Sequence, residues 1–173
     1  VAFCDQGLAA ATGFALAHIL KAWLFTLATE PEAAQEARTT VCHAKTLPTS
    51  DREAGHVAAL DSVLAGEWTA GALALDHHSM RHPHDLVALQ AGHLIDFFRA
   101  NARNLRDRIA RVLPAWEADR PGRSIVLGFY AFGLEETGDY ARAEAAGREA
   151  VARQPLDCWA HHAVAHVMEM QGR

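Results

Sequence analysis

The chain has 173 residues, of which 50% are hydrophobic and 21% are charged, as expected for a folded protein rather than a disordered one. Frequent Ala, with sparse Val, Ile, Thr and Tyr, favours helix over sheet. The net charge is −5, and the longest basic stretch, 99–111, also contains Asp107, so nucleic-acid binding is not expected. Three cysteines without a C-x-x-C pair predict reduced thiols in a cytoplasmic protein, not a disulfide framework or a zinc knot.

The first predicted element is an apolar helix over 6–28. His18 and Lys21 lie near its middle, and a charge at mid-span costs roughly 2.5–3.5 kcal/mol on membrane-insertion scales. The basic start and the cleavage site of a signal peptide are both missing. We therefore expect a buried helix and no membrane association.

Eight further helices are predicted, with boundaries set by the residues between them. Ser50 or Asp51 can cap the helix that contains His56. Pro114 is expected to kink or interrupt the sixth helix, because proline lacks the amide donor that a helix interior needs. The expected ranges are 31–45, 52–65, 68–81, 85–99, 103–118, 124–137, 140–153 and 157–171.

One pattern of turn residues occurs twice, 72 positions apart: a glycine, an aromatic residue, a small residue, and a proline 17 positions after the glycine. The residues are Gly66, Trp68, Gly71 and Pro83 in the first copy and Gly138, Tyr140, Ala143 and Pro155 in the second. The interval is about twice the ~34-residue period of a tetratricopeptide repeat. It predicts an all-α, right-handed solenoid of stacked tetratricopeptide-like hairpins, with a single array of about four to five hairpins over 1–173.

The two ends suggest that this array is a fragment. The chain starts at Val1, and Gly172 is placed to open a turn whose second helix is missing. We therefore expect truncation at both ends. The unpaired helix at 157–171 would then expose Val164, Ala165 and Met168, an apolar face that could mediate self-association.

Several segments resemble the tetratricopeptide repeat protein 38 family, which is found in bacteria and animals. The resemblance covers nearly the whole chain and is carried by 13–18, 56–60, His82-Pro83 with Asp85 and Leu89, 128–134 with Glu136, 157–159, and Ala163-Val164-Ala165-His166-Val167-Met168-Glu169-Met170. The last stretch is the most specific. Members are several hundred residues long, in keeping with a fragment. The resemblance implies a repeat scaffold and no settled activity.

Polar residues recur on the first helices of the predicted hairpins, which line the concave groove of a solenoid. His93 and Asp96, and likewise His166 and Glu169, are three positions apart and therefore share a helix face. His162 extends the second pair by one turn. The candidate groove residues are His56, His93, Asp96, Glu135, Trp159, His162, His166 and Glu169.

Three interpretations of this groove remain open. The leading one is a binding scaffold that holds a protein or peptide ligand and needs no cofactor. In the second, His162, His166 and Glu169 bind a divalent metal, and with His93 and Asp96 they form a metal-dependent hydrolase. In the third, the His–carboxylate pairs are structural, each contributing ~0.2–0.5 kcal/mol at a helix surface or forming a hydrogen-bonded pair in the core. The structural interpretation is favoured over the metal one, because spacing without geometry is weak evidence.

Overall fold

The computed structural model describes all 173 residues and contains ten α-helices and no strand. The predicted all-α class is confirmed. None of the helices combines the length and the apolar character that crossing a bilayer requires. The chain divides into two compact units, 1–82 and 83–173, which are described in turn.

The first unit contains five helices. They are α1 (Ala2–Ala10), α2 (Ala15–Thr26), α3 (Pro31–Ala44), α4 (Asp51–Leu64) and α5 (Trp68–Arg81). The helix α2 packs against α3 and α4, and α4 packs against α5. As predicted, Ser50 caps α4, and it forms a reciprocal capping box with Glu53.

The single helix expected over 6–28 is wrong, because the structure has two helices there. The first ends at Ala10 and the second begins at Ala15. Thr12 and Gly13 lie in the break, and both have low helix propensity. The apolar character of the segment continues across this break and hides it.

The second unit contains the other five helices. They are α6 (Leu86–Phe98), α7 (Ala102–Val112), α8 (Arg123–Glu135), α9 (Tyr140–Arg153) and α10 (Cys158–Met170). Pro114 lies in a short 3-10 turn that follows α7, so the predicted interruption is confirmed. The helix α8 packs against α6, α7, α9 and α10, and α9 also packs against α10.

The repeated turn residues act as predicted. Gly66 and Gly138 have φ values of 88° and 79°, in the left-handed region that glycine occupies without steric cost. A Cβ at Gly71 would lie 2.4 Å from Cγ2 of Val63, so only a residue without a side chain allows α4 and α5 to pack this closely. Ala143 is fully buried at the corresponding place in α9. Each repeated proline lies two residues beyond the end of α5 or α9.

Replacing Gly133 with alanine is expected to lower the free energy of unfolding by about 1–3 kcal/mol, the usual range for overpacking. A Cβ at this position would lie 2.6 Å from the backbone N and Cα of Arg106, and backbone atoms move only if α7 and α8 separate. The measurement is urea denaturation. Gly128→Ala in the same helix is the control, because its Cβ would meet Ala160 at an ordinary 3.5 Å. Equal losses of unfolding free energy for Gly133→Ala and Gly128→Ala would contradict the close α7–α8 contact described here.

Candidate functional site

Side chains from α6, α8 and α10 form an aromatic–histidine cluster in the second unit. Phe132 is buried at its centre, and its ring centroid lies 5.1–5.8 Å from those of four neighbours on α6 and α10. The members of the cluster are His93, Phe97, Phe129, Phe132, Trp159, His162 and His166. The cluster brings together four of the eight predicted groove residues.

Helical spacing explains why these side chains meet. On α10, Trp159, His162 and His166 lie at i, i+3 and i+7 and therefore share one face. The residues between them, Ala160, Ala163 and Val167, are buried against the rest of the unit. The side chain of Asp157 caps α10 by accepting hydrogen bonds from the backbone N–H groups of its first turn.

One edge of the aromatic–histidine cluster is open to solvent. Phe97 is 42% exposed and its neighbour Phe98 is 45% exposed. His162 is exposed, and Trp159 and His166 are half-buried. The indole Nε1 of Trp159 is buried and has no hydrogen-bond partner, so Trp159 presents only part of its ring at this edge. This edge can therefore offer a ligand apolar and aromatic contact.

The structure places His93 inside the unit. Its ring stacks on Phe129 with centroids 4.8 Å apart, and neither ring nitrogen has a hydrogen-bond partner. Burial lowers the pKa of His93 to about 3, and the nearby Arg108 guanidinium adds to this effect. His93 is therefore neutral at pH 7 and is enclosed by the cluster rather than presented to a ligand.

Asp96 is fully buried and belongs to an ion-pair network. Its Oδ2 accepts hydrogen bonds from Arg108 Nε at 2.9 Å and from Asn104 Nδ2 at 2.9 Å. Arg99 contacts its other oxygen at 3.3 Å. The hydrogen-bonded His93–Asp96 pair considered in the structural interpretation is therefore not formed. Asp96 holds α6 to α7 instead.

His56 lies in the core of the first unit. It is fully buried, and its Nδ1 accepts a hydrogen bond of 3.0 Å from the indole Nε1 of Trp23. Its ring also lies 4.9 Å from that of His78. These contacts give His56 a packing role within α2, α4 and α5.

A second group, which we call the carboxylate–imidazole set, lies where α8 ends. It consists of Glu135, Glu136 and His166, and one possible ligand atom from each lies within 4.8 Å of the others. Burial raises the pKa of Glu135, and the charge of Glu136 raises it further, whereas His166 lowers it. Of the metal ligands predicted from sequence, this set contains only His166.

The other two predicted metal ligands lie outside that set. His162 is next to His166, with ring centroids 4.3 Å apart, and Glu169 is exposed one turn further along α10. Desolvation lowers the pKa of His162, and the neighbouring His166 lowers it further. His162 is therefore mainly neutral at pH 7.

The residues expected to mediate self-association line a groove between α9 and α10. Val164, Ala165 and Met168 form one side, and Val151 and Ala152 form the other, around a volume of about 450 Å³. Self-association through this groove stays a prediction.

Sequence analysis missed five residues of the site: Phe97, Phe98, Phe129, Phe132 and Glu136. A usable signal was present in α8, where Phe129, Phe132 and Glu136 follow the same i, i+3, i+7 spacing as the α10 residues. Attention to histidine and carboxylate pairs alone left the aromatic positions out.

No protein-family model matches this chain, and no solved structure matches it.

Proposed function

We propose that the chain is part of a right-handed, tetratricopeptide-like solenoid related to the tetratricopeptide repeat protein 38 family. It would act as a cytoplasmic binding scaffold. The packing order in the second unit supports this proposal, because α6, α8 and α10 pack in succession while α7 and α9 each pack against flanking helices. The two matching glycine turns and the three free cysteines are also in keeping with it.

The proposed ligand is an extended peptide segment that lies on the exposed edge of the aromatic–histidine cluster. The exposed Phe97 and Phe98 side chains carry this proposal, because adjacent exposed aromatic residues mark binding surfaces. Trp159 supports it, since its half-buried ring packs against Phe132 and His162 and extends the aromatic surface.

The carboxylates next to the cluster indicate the charge of the peptide that would bind there. Glu135 and Glu136 lie beside His166 at one end of the cluster, and Glu169 is exposed on α10. The mainly neutral His162 does little to offset these carboxylates. We therefore propose a peptide in which an apolar residue packs on the aromatic edge and a neighbouring Lys or Arg faces the carboxylates.

Selection from a random peptide library displayed on phage tests this proposal. Peptides with an apolar residue next to Lys or Arg should be enriched, and one of them, labelled with fluorescein, is titrated with the protein in buffer containing EDTA. Phe97→Ala should weaken binding about tenfold or more, because an aromatic contact is lost. Glu136→Gln should weaken binding less, and its effect should shrink as salt is raised.

Leu73→Ala is the matched control, because Leu73 is a 54% exposed apolar residue on α5 in the other unit. It should leave the affinity unchanged. The proposal would be abandoned if no peptide were enriched, or if Leu73→Ala weakened binding as much as Phe97→Ala.

A further inference from the structure

The carboxylate of Glu135 is buried without the hydrogen bonds that would compensate for its burial. The residue is only 6% exposed, and its Oε2 is buried without a hydrogen-bond partner. This atom lies 3.7 Å from His166 Nδ1, a distance longer than a hydrogen bond. A buried carboxylate oxygen with no donor costs free energy unless a cation compensates it.

The position of the two carboxylates on α8 increases this cost. Glu135 is the last residue of the helix and Glu136 is its C-cap. A helix C-terminus carries about half a negative charge, so acidic side chains there are destabilising and cations are stabilising. Neighbouring carboxylates also repel each other. Two acidic residues at this point are therefore unfavourable for the fold alone and favourable for a bound cation.

We propose that Glu135, Glu136 and His166 bind a divalent transition-metal ion, with Zn²⁺ as the best fit. One imidazole and two carboxylates are a ligand set that zinc accepts, with the fourth position of a tetrahedron open. Two ligands bound at ~2.1 Å in tetrahedral geometry lie about 3.4 Å apart. The observed 3.7 Å between His166 Nδ1 and Glu135 Oε2 is close to this spacing.

His162 completes the surroundings of the site. Its ring lies 4.3 Å from that of His166, so it can orient that imidazole or approach the open position. The site differs from the line of His162, His166 and Glu169 predicted from sequence, because Glu135 and Glu136 come from α8 and connect it to α10. Metal binding would therefore stabilise the contact between these helices.

Isothermal titration of the untagged, EDTA-treated protein with ZnCl₂, in the absence of any peptide, tests this inference. We expect one tight Zn²⁺ per chain, and we expect Co²⁺ at the same site to give the strong visible absorption of a tetrahedral complex. Glu136→Gln should weaken Zn²⁺ binding about tenfold or more without unfolding the protein, because Glu136 is exposed. Glu135→Gln and His166→Asn should also weaken Zn²⁺ binding about tenfold or more.

Two substitutions on α10 serve as comparisons. His161→Ala removes an exposed imidazole whose Nε2 lies 3.0 Å from the Pro155 carbonyl oxygen, outside the proposed site, and it should leave the tight site intact. Glu169 belongs to the ligand set predicted from sequence but not to the set proposed here. Glu169→Gln should therefore also leave Zn²⁺ binding unchanged. The inference fails if the wild type binds no stoichiometric Zn²⁺, if Glu136→Gln binds as tightly as the wild type, or if His161→Ala or Glu169→Gln abolishes binding.

Discussion

Replacing Asp96 with alanine is expected to lower the free energy of unfolding by about 3–5 kcal/mol, the largest effect of any single substitution considered for this chain. Asp96 and Arg108 are both fully buried, and their charged groups meet at 2.8 Å. Alanine would leave the guanidinium inside the protein without this carboxylate, and burying such a charge is costly. Urea denaturation monitored by circular dichroism measures the loss.

An exposed ion pair provides the matched control. Arg153 and Glu149 meet at the same 2.8 Å, but both side chains are substantially exposed. Glu149→Ala should therefore cost less than about 1 kcal/mol. The double substitution of Asp96→Leu with Arg108→Met should recover much of the stability lost in Asp96→Ala, because it removes both buried charges. Equal losses for Asp96→Ala and Glu149→Ala would contradict the assignment of a buried ion pair.

Acidification from pH 7 to pH 5 is expected to lower the free energy of unfolding by about 2 kcal/mol through His93 alone. The folded protein holds the pKa of His93 at about 3, against an ordinary value of 6.5. Between these values the unfolded chain binds a proton that the folded chain does not, so stability falls as the pH drops through this range. The charged groups near the ring are Arg108, which disfavours protonation, and Asp96, which is paired with Arg108.

The substitution His93→Leu should remove this contribution. Its unfolding free energy should therefore fall by about 2 kcal/mol less than that of the wild type between pH 7 and pH 5, as measured by urea denaturation at both values. His161→Ala is the control, because His161 is exposed, and it should keep the wild-type dependence. If the unfolding free energy of His93→Leu fell as much as that of the wild type between pH 7 and pH 5, His93 would not be the buried neutral histidine described here.

Much of the fold could be predicted because turns and caps are local. Gly66 and Gly138 allow the left-handed backbone of a turn because they lack a Cβ, and Pro114 interrupts a helix because it lacks an amide donor, so neighbouring sequence was enough to place the helix ends. The break at Gly13 was missed because an apolar run extends across it. The low helix propensity at this point predicts a break, whereas the continuous apolar character predicts one buried helix.

The site was harder to predict, because periodicity shows which residues share a helix face but not how deeply that face is buried. The line of His162 and His166 was recognised, and both lie in the aromatic–histidine cluster. His93 and Asp96 have the same three-residue spacing as His166 and Glu169, yet His93 is fully buried. The reason lies in long-range packing: a Cβ at Gly92 would come within 2.8 Å of the Arg108 guanidinium, which comes from α7. Spacing within α6 carries no information about that partner.

The most direct test of the proposed binding surface is the indole N–H signal of Trp159 in a ¹H–¹⁵N NMR spectrum. The signal is assigned by its loss in Trp159→Phe, and the selected peptide is then titrated into the wild-type protein. We predict that the Trp159 signal shifts in proportion to binding while the signal of Trp68, a half-buried tryptophan in the first unit, stays in place. A bound peptide that shifts Trp68 and leaves Trp159 unchanged would contradict a binding surface on the aromatic–histidine cluster.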